Sequence, residues 1–146
     1  MRIYIGADHR GFELKNKLAD FLREQKYEVI DKGNSIYDRE DDYPIFADAV
    51  ARAVAQDPDA RGIVVCGSGV GVDIAANKVD GVRAGLCQTP DQATAARRDD
   101  NVNVLALAAD FVGEATARAI AGAFIATPFD GASRHRRRVD EIGRIS

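Results

Sequence analysis

The sequence predicts a three-layer α/β fold: a five-stranded parallel sheet with helices on both faces and a further helix at the C-terminus. Three observations lead there. Five short runs rich in Ile, Val and Leu recur along the 146 residues, separated by segments of helical periodicity. Several of these runs are continuously apolar rather than alternating, as strands covered on both faces are. Strand and helix alternate, the order that builds a parallel sheet through crossovers of one hand.

Each element has its own signal. Arg2–Ile5 reads as the first strand. Leu14, Leu18, Phe21 and Leu22 then recur at helical spacing, with Glu13, Lys15, Lys17 and Arg23 on the other side, predicting an amphipathic helix. Tyr27–Asp31 is the second strand. Pro44, suited to the first turn of a helix, precedes Ile45, Phe46, Ala49, Val50 and Val54 in the same pattern. Gly62–Val65 is the third strand, followed by an Ala-rich helix over Val70–Lys78. Val82–Cys87 is the fourth, and Pro90 leads into a helix over Asp91–Arg98. The fifth, Val104–Ala108, is followed by a helix over Gly113–Ala126, and a basic helix covers Arg136–Ile145. No linker, repeat or compositional break divides the chain, so residues 1–146 read as a single domain able to bury a real core.

Composition narrows the function. Hydrophobic content of 46% and charged content of 29% are ordinary for a soluble globular protein. A formal charge of −3 supplies no general pull toward nucleic acid or an acidic membrane, so neither partner is expected. No apolar stretch is long enough to suggest a membrane span or a signal peptide. The two cysteines, Cys66 and Cys87, make no disulfide framework, and a reducing, cytoplasmic setting is expected.

Two loops at strand ends stand out chemically: Gly6-Ala-Asp-His-Arg-Gly11 and Cys66-Gly-Ser-Gly-Val-Gly71. In open parallel sheets ligands bind beyond the carboxyl ends of the strands, at a topological switch point. A flavodoxin-like strand order makes strands one and three neighbours and brings these loops together. Gly67, Gly69 and Gly71 let backbone N–H groups turn inward as a nest for an anionic oxygen, and the helix from Val70 adds its positive end. Such a place also stabilises a thiolate, which makes Cys66 a candidate base or nucleophile. The alternative is a tight strand-to-helix turn holding an inert, buried cysteine, and the loop alone favours neither. Cys87, in an apolar run, reads as core.

The glycine loop is not a better-known phosphate motif. It lacks the Lys-Ser/Thr ending of a nucleoside-triphosphate loop, its spacing is not the dinucleotide fingerprint, and Val72 stands where a cysteine phosphatase loop closes with arginine. Asp8 and His9 sit at the expected mouth, although Asp8 also suits a cap. The only two histidines, His9 and His135, make no ligand spacing with the carboxylates, so no metal is expected. Arg134 and Arg138, four apart on one side of a helix, suit a grip on one phosphate. A local basic cluster on an acidic chain fits a small anion better than a polyanion.

Together these pieces resemble a known family. Gly6-Ala-Asp-His-x-Gly11, Asp42-Tyr-Pro44, Cys66-Gly-Ser-Gly-Val-Gly71 with Ala75-Ala-Asn-Lys78, Asn103-Val-Leu105 and Arg134-His-x-x-Arg138 occur in the same order as in the ribose-5-phosphate isomerase B / galactose-6-phosphate isomerase family. The resemblance spans essentially the whole chain. It implies aldose–ketose isomerisation of a sugar phosphate through a cis-enediolate, with no metal or organic cofactor. It implies a Rossmann-like homodimer, or a dimer of dimers, with active sites at the subunit interface. Cys66 matches the catalytic base, Gly67, Gly69, Val70 and Gly71 belong to the matching oxyanion loop, and Ser68 matches a hydroxyl that shuttles protons between the sugar oxygens. Asp8 and His9 match sugar ligands, Arg134 and Arg138 phosphate ligands. The chemistry agrees with the loop: a proton α to a carbonyl leaves readily only where preorganised donors meet the enediolate's charge.

Three positions depart from the family pattern. Asp99 stands where a histidine serves as the acid that opens a furanose ring, Asp100 where an asparagine is common, and Asp110 where an arginine from the partner subunit helps to bind phosphate. Asp99 can serve as that acid only if burial raises its pKa. Arg97 or Arg98 reaching inward is the expected compensation for the lost guanidinium, or Asp110 binds hydroxyls instead. The default substrate pair is D-ribose 5-phosphate and D-ribulose 5-phosphate. The alternatives are an acyclic tetrose phosphate, which needs no ring opening, a hexose 6-phosphate, or a catalytically silent sugar-phosphate binder.

Overall fold

The structure, a computed structural model, describes residues 1–145. Its order is β1 (Arg2–Ala7), α1 (Phe12–Glu24), β2 (Glu28–Asp31), α2 (Tyr43–Ala55), β3 (Arg61–Cys66), α3 (Val70–Ala76), β4 (Ala84–Leu86), α4 (Pro90–Asp100), β5 (Val104–Ala108), α5 (Glu114–Ala126) and α6 (Ser133–Gly143). All five strands are parallel, in the order β2-β1-β3-β5-β4. The expected neighbouring of β1 and β3 is present, but the last two strands are exchanged relative to the flavodoxin order of 2-1-3-4-5. The central strands β3 and β5 are the most continuously apolar runs, which is why they read so clearly in the sequence.

The alternation of side chains sorts the core into two layers. Ile3, Ile5, Ile63, Val65, Leu105 and Leu107 face α1, α4 and α5, where Leu18, Leu22, Ile120 and Phe124 pack on them. Val64, Cys66, Val104 and Ala106 face α2 and α3, against Ala47, Val50, Val54 and Val72. Steps that move one way across the sheet use one helical layer and steps that move back use the other, as one crossover hand requires. The connections after β1 and β3 therefore leave on opposite faces, and a crevice opens between them at the carboxyl edge.

Several local readings change, among them β4, which forms only over Ala84–Leu86. Lys15, assigned to the outer face of α1, is fully buried: its Nζ donates to Asp31 Oδ2 at 2.7 Å and to Asn34 O at 2.6 Å, and lies 5.3 Å from the centre of the Phe12 ring. Its four-carbon stem fills the space under the β2–α2 connection while the ammonium finds oxygen at the end, a use of lysine that charge patterning does not reveal. The helix α3 ends at Ala76, because Asn77 turns back to bridge Asp73 and both backbone groups of Ala84. The basic helix starts at Ser133, three residues ahead of the expected start, and so includes Arg134. Among the described residues no helix is long and apolar enough to cross a membrane.

Candidate active site

The two loops meet. Gly11, just before α1, lies so close to β3 that a Cβ there would stand 2.7 Å from Val65 O. The Arg10 side chain crosses Gly67, and Gly67 O accepts from the Asp110 N–H at 2.9 Å. The ends of β1, β3 and β5 thus form one surface. On it stand Asp8, His9, Cys66, the loop from Gly67 to Gly71, and Asp110.

Cys66 is the last residue of β3, and its side chain belongs to the α2/α3 layer. It is only 5% exposed and lies directly beneath the loop. The reading of an inert turn cysteine predicts burial as well, so burial alone separates neither reading. Ser68 projects to solvent and its Oγ accepts from the Val70 N–H at 3.2 Å, fixing the hydroxyl at the start of α3. Gly69 has φ +75°, the left-handed conformation that favours glycine, and it turns the chain from strand into helix. The Tyr43 ring, from the first residue of α2, covers Gly71, where a Cβ would stand 2.5 Å from its Cε1.

Asp8 is 4% exposed and its Oδ1 accepts from the Arg10 and Gly11 N–H groups, each at 3.1 Å. It closes the turn ahead of α1 and does not cap the helix as expected, because the N-cap position falls on Gly11 and α1 receives no side-chain cap. Asp41, which sequence reasoning missed, accepts from both the backbone N–H of His9 at 2.9 Å and its Nδ1 at 2.7 Å. Burial pushes the Asp41 carboxyl upward, but the hydrogen bonds from His9 and Asn34 outweigh it and hold Asp41 below the usual carboxylate range. An ionised carboxylate only accepts, so Nδ1 carries the hydrogen and Nε2 is left to address a ligand. The sequence signal that could have found this was Asp41 beside the noted Asp42-Tyr-Pro44, but nothing local ties residue 41 to residue 9. Asp8, His9 and Asp41 offer atoms within 4.8 Å of one another, yet the histidine nitrogen facing the carboxylates is already hydrogen-bonded there, which explains the grouping without a cation.

The remaining predicted residues lie elsewhere. The helix α4 starts after the carboxyl end of β4 and runs back for eleven residues, about 16 Å. Asp99 and Asp100 are therefore at the opposite, amino edge of the sheet. There Asp99 Oδ1 accepts from Arg98 Nε at 2.9 Å, and the Arg98 guanidinium holds its carboxyl below the usual range. The condition that burial raise its pKa is not met. His135, 7% exposed, lies between Asp99 at 3.7 Å and Asp130 at 3.1 Å, the latter without the alignment of a hydrogen bond. Asp100 lines an apolar cavity of about 670 Å³ between β4, α4 and α6. Arg134 and Arg138 are exposed on α6 at this same edge.

Within one chain neither Arg97 nor Arg98 reaches toward Cys66. Arg97 is buried and donates to Thr127 O, Asn101 Oδ1 and Val102 O, tying α4 to the segment after α5. Burial, with Arg61 and Arg83 nearby, lowers it to about 10, still charged at neutral pH. Arg98 is committed to Asp99. Asp110, half-exposed, pairs through its Oδ2 with Arg10. Cys87 is core as read, and burial, with the Asp73 carboxylate adding to it, pushes its thiol up to about 11.

Known proteins are similar to this chain in sequence and in shape. The family model described as Ribose/Galactose Isomerase matches residues 3–142. A protein of Mycobacterium tuberculosis named ribose-5-phosphate isomerase B is 44% identical over 140 residues, covering 96% of this chain and 86% of that one. Its namesake in Escherichia coli K12 is 42% identical over 144 residues, 99% of this chain and 95% of that one. The crystal structure of ribose-5-phosphate isomerase B from Mycoplasma genitalium with bound ribulose-5-phosphate superposes with a TM-score of 0.94 at 42% identity, covering 98% of this chain and 94% of that one. With the matched residues running through both loops, both edges and the basic helix, the chain belongs to the ribose/galactose isomerase family.

Proposed function

We propose that this protein interconverts D-ribose 5-phosphate and D-ribulose 5-phosphate, with Cys66 as the base. The observation that carries this reading is the position of Cys66: it ends β3 beneath a glycine loop whose mouth is lined by Asp8 and by a histidine oriented through Asp41. The names of the M. tuberculosis and E. coli relatives and the ligand of the M. genitalium protein support the substrate. The Cys66 sulfur takes the proton from C2 of the open-chain aldose. Charge develops on the O1 side of the cis-enediolate, where loop N–H groups from Gly67 to Gly71 receive it. The Ser68 hydroxyl passes a proton between O2 and O1, Cys66 returns its proton to C1, and the ketose forms with no external oxidant or reductant. His9 Nε2 and Asp8 hold sugar hydroxyls.

One chain carries half of this site. Asp99, Asp100, Arg134 and Arg138 stand at the far edge, so a second copy, packed edge to edge in a homodimer, brings its Arg134 and Arg138 to the phosphate of a substrate bound at Cys66. A second reading of the substrate rests on Asp99. Its carboxyl, kept ionised by Arg98, is a poor proton donor for ring opening, which favours a sugar phosphate that is already acyclic, such as a tetrose 4-phosphate.

Solvent-deuterium incorporation at C2, followed by NMR across four-, five- and six-carbon sugar phosphates, tests both. Exchange with ribose 5-phosphate is expected. Exchange confined to the tetrose selects the second reading, and none with any sugar removes the isomerase assignment. Cys66→Ala should lower exchange by roughly 10²–10⁴-fold while the protein stays folded; full exchange in that variant takes the base role away from Cys66.

A further inference from the structure

A guanidinium stands over the glycine loop, and it comes from an unexpected place. Arg10 lies in the turn between β1 and α1, its backbone fixed by the Asp8 carboxylate. Its side chain crosses Gly67 and pairs with Asp110, which follows β5. The arginine thus bridges the end of β3 from one neighbouring strand to the other. Both partners are half-exposed, 53% and 42%, so water screens the pair and it contributes little to folding. Its consequence is positional. Asp110 engages one nitrogen of a fork with five N–H donors, and the others remain at the mouth. Asp8 is occupied by the turn and Asp41 by His9, so neither carboxylate competes for the guanidinium.

We propose that Arg10 is a phosphate ligand of this site, aimed by Asp110. The inference rests on the isomerase reading for its substrate, a sugar phosphate, but on this chain's geometry for the residue. An aspartate at position 110 on its own would repel a dianion. Paired with Arg10 it becomes the hinge-pin of a cation that can hold the carboxylate with one edge and a phosphate with the other, a geometry that suits a planar fork and not an ammonium.

The test compares wild type, Arg10→Ala and Arg10→Lys in steady-state turnover of ribose 5-phosphate, with inorganic phosphate as a competitive inhibitor. Arg10→Ala should raise KM and the phosphate inhibition constant together by roughly ten- to hundredfold, the loss expected for one or two charge-assisted hydrogen bonds, with kcat nearly kept. Arg10→Lys should fall between, because a point charge cannot span both partners. Thermal melts that coincide with wild type confirm that the fold is not the cause. Unchanged KM and phosphate inhibition, or a fall in kcat at constant KM, overturns the proposal. Broadening of the ³¹P signal of inorganic phosphate by the protein, lost in Arg10→Ala, supports Arg10 even if no sugar phosphate is turned over. Broadening that persists unchanged in Arg10→Ala overturns it. Failure of the isomerase reading and failure of this one are thereby separated.

Discussion

Replacing Gly69 by alanine tests the loop on which the proposed chemistry depends. Its φ of +75° lies where a Cβ adds about 1–2 kcal/mol of strain. The new methyl would also stand 2.6 Å from Leu86 Cδ1, 3.0 Å from Leu107 C and 3.1 Å from Ala108 N. The leucine methyl can rotate aside. The backbone of β5 cannot, because Leu107 and Ala108 are paired with Val65 and Cys66 of β3. Overfilling a packed site typically costs about 1–3 kcal/mol, so Gly69→Ala should lose about 2–5 kcal/mol in total. That is a large share of the roughly 5–15 kcal/mol that holds a domain folded. Urea denaturation followed by circular dichroism measures it, with the slope unchanged and the midpoint lowered. Deuterium exchange in the folded fraction should fall as well, since relief of the clash moves the loop off Cys66. Gly122→Ala, inside α5 with nothing within 4 Å of its Cβ position, is the control and should stabilise by about 1 kcal/mol. A Gly69→Ala protein with the midpoint and the exchange rate of wild type would refute the reasoning.

Two further outcomes follow from the surroundings of the site. Lys15→Met keeps the stem's volume but deprives Asn34 O and Asp31 of their donor, and should cost about 1–3 kcal/mol in the same urea experiment; a variant more stable than wild type would mean the buried ammonium is a burden. Asp41 has a folded-state pKa below its ordinary value, so its contribution to stability is complete above the unfolded value near about pH 4 and is lost as pH falls through the folded one. Asp41→Asn should therefore be less stable than wild type at neutral pH, with the gap closing in acid, and its His9 ring should lose its fixed tautomer by ¹⁵N NMR. A gap that is constant from pH 7 to pH 2 would show that Asp41 acts through shape alone.

Much of the fold was legible because burial on both faces writes itself into β3 and β5 as unbroken apolar runs, and because Pro44 and Pro90 mark helix starts. The order of the last two strands was not, since a crossover from β3 to β4 that skips one strand has the same local sequence as one that does not. The glycine loop, Asp8 and His9 could be placed at one edge from chain order and sheet handedness alone. Lys15 misled because a lysine spaced two residues from Glu13 and from Lys17 looks solvated until the oxygens it reaches, sixteen and nineteen residues on, are known. The pairing of Arg10 with Asp110 spans one hundred residues, and Asp110 read singly suggested repulsion. Arg97 was expected to reach for substrate, but the open carbonyls of Val102 and Thr127 sit closer to it.

The run of α4 from one edge of the sheet to the other has a genetic consequence. If every reaction centre draws its sulfur from one polypeptide and the Arg134 and Arg138 part of its basic grip from another, two different broken alleles can rescue each other. A Cys66→Ala protein and an Arg134→Ala/Arg138→Ala protein, each inert alone, would on co-expression assemble mixed pairs having one wholly intact centre and one doubly damaged. Random pairing caps the recovered rate at about a quarter of normal.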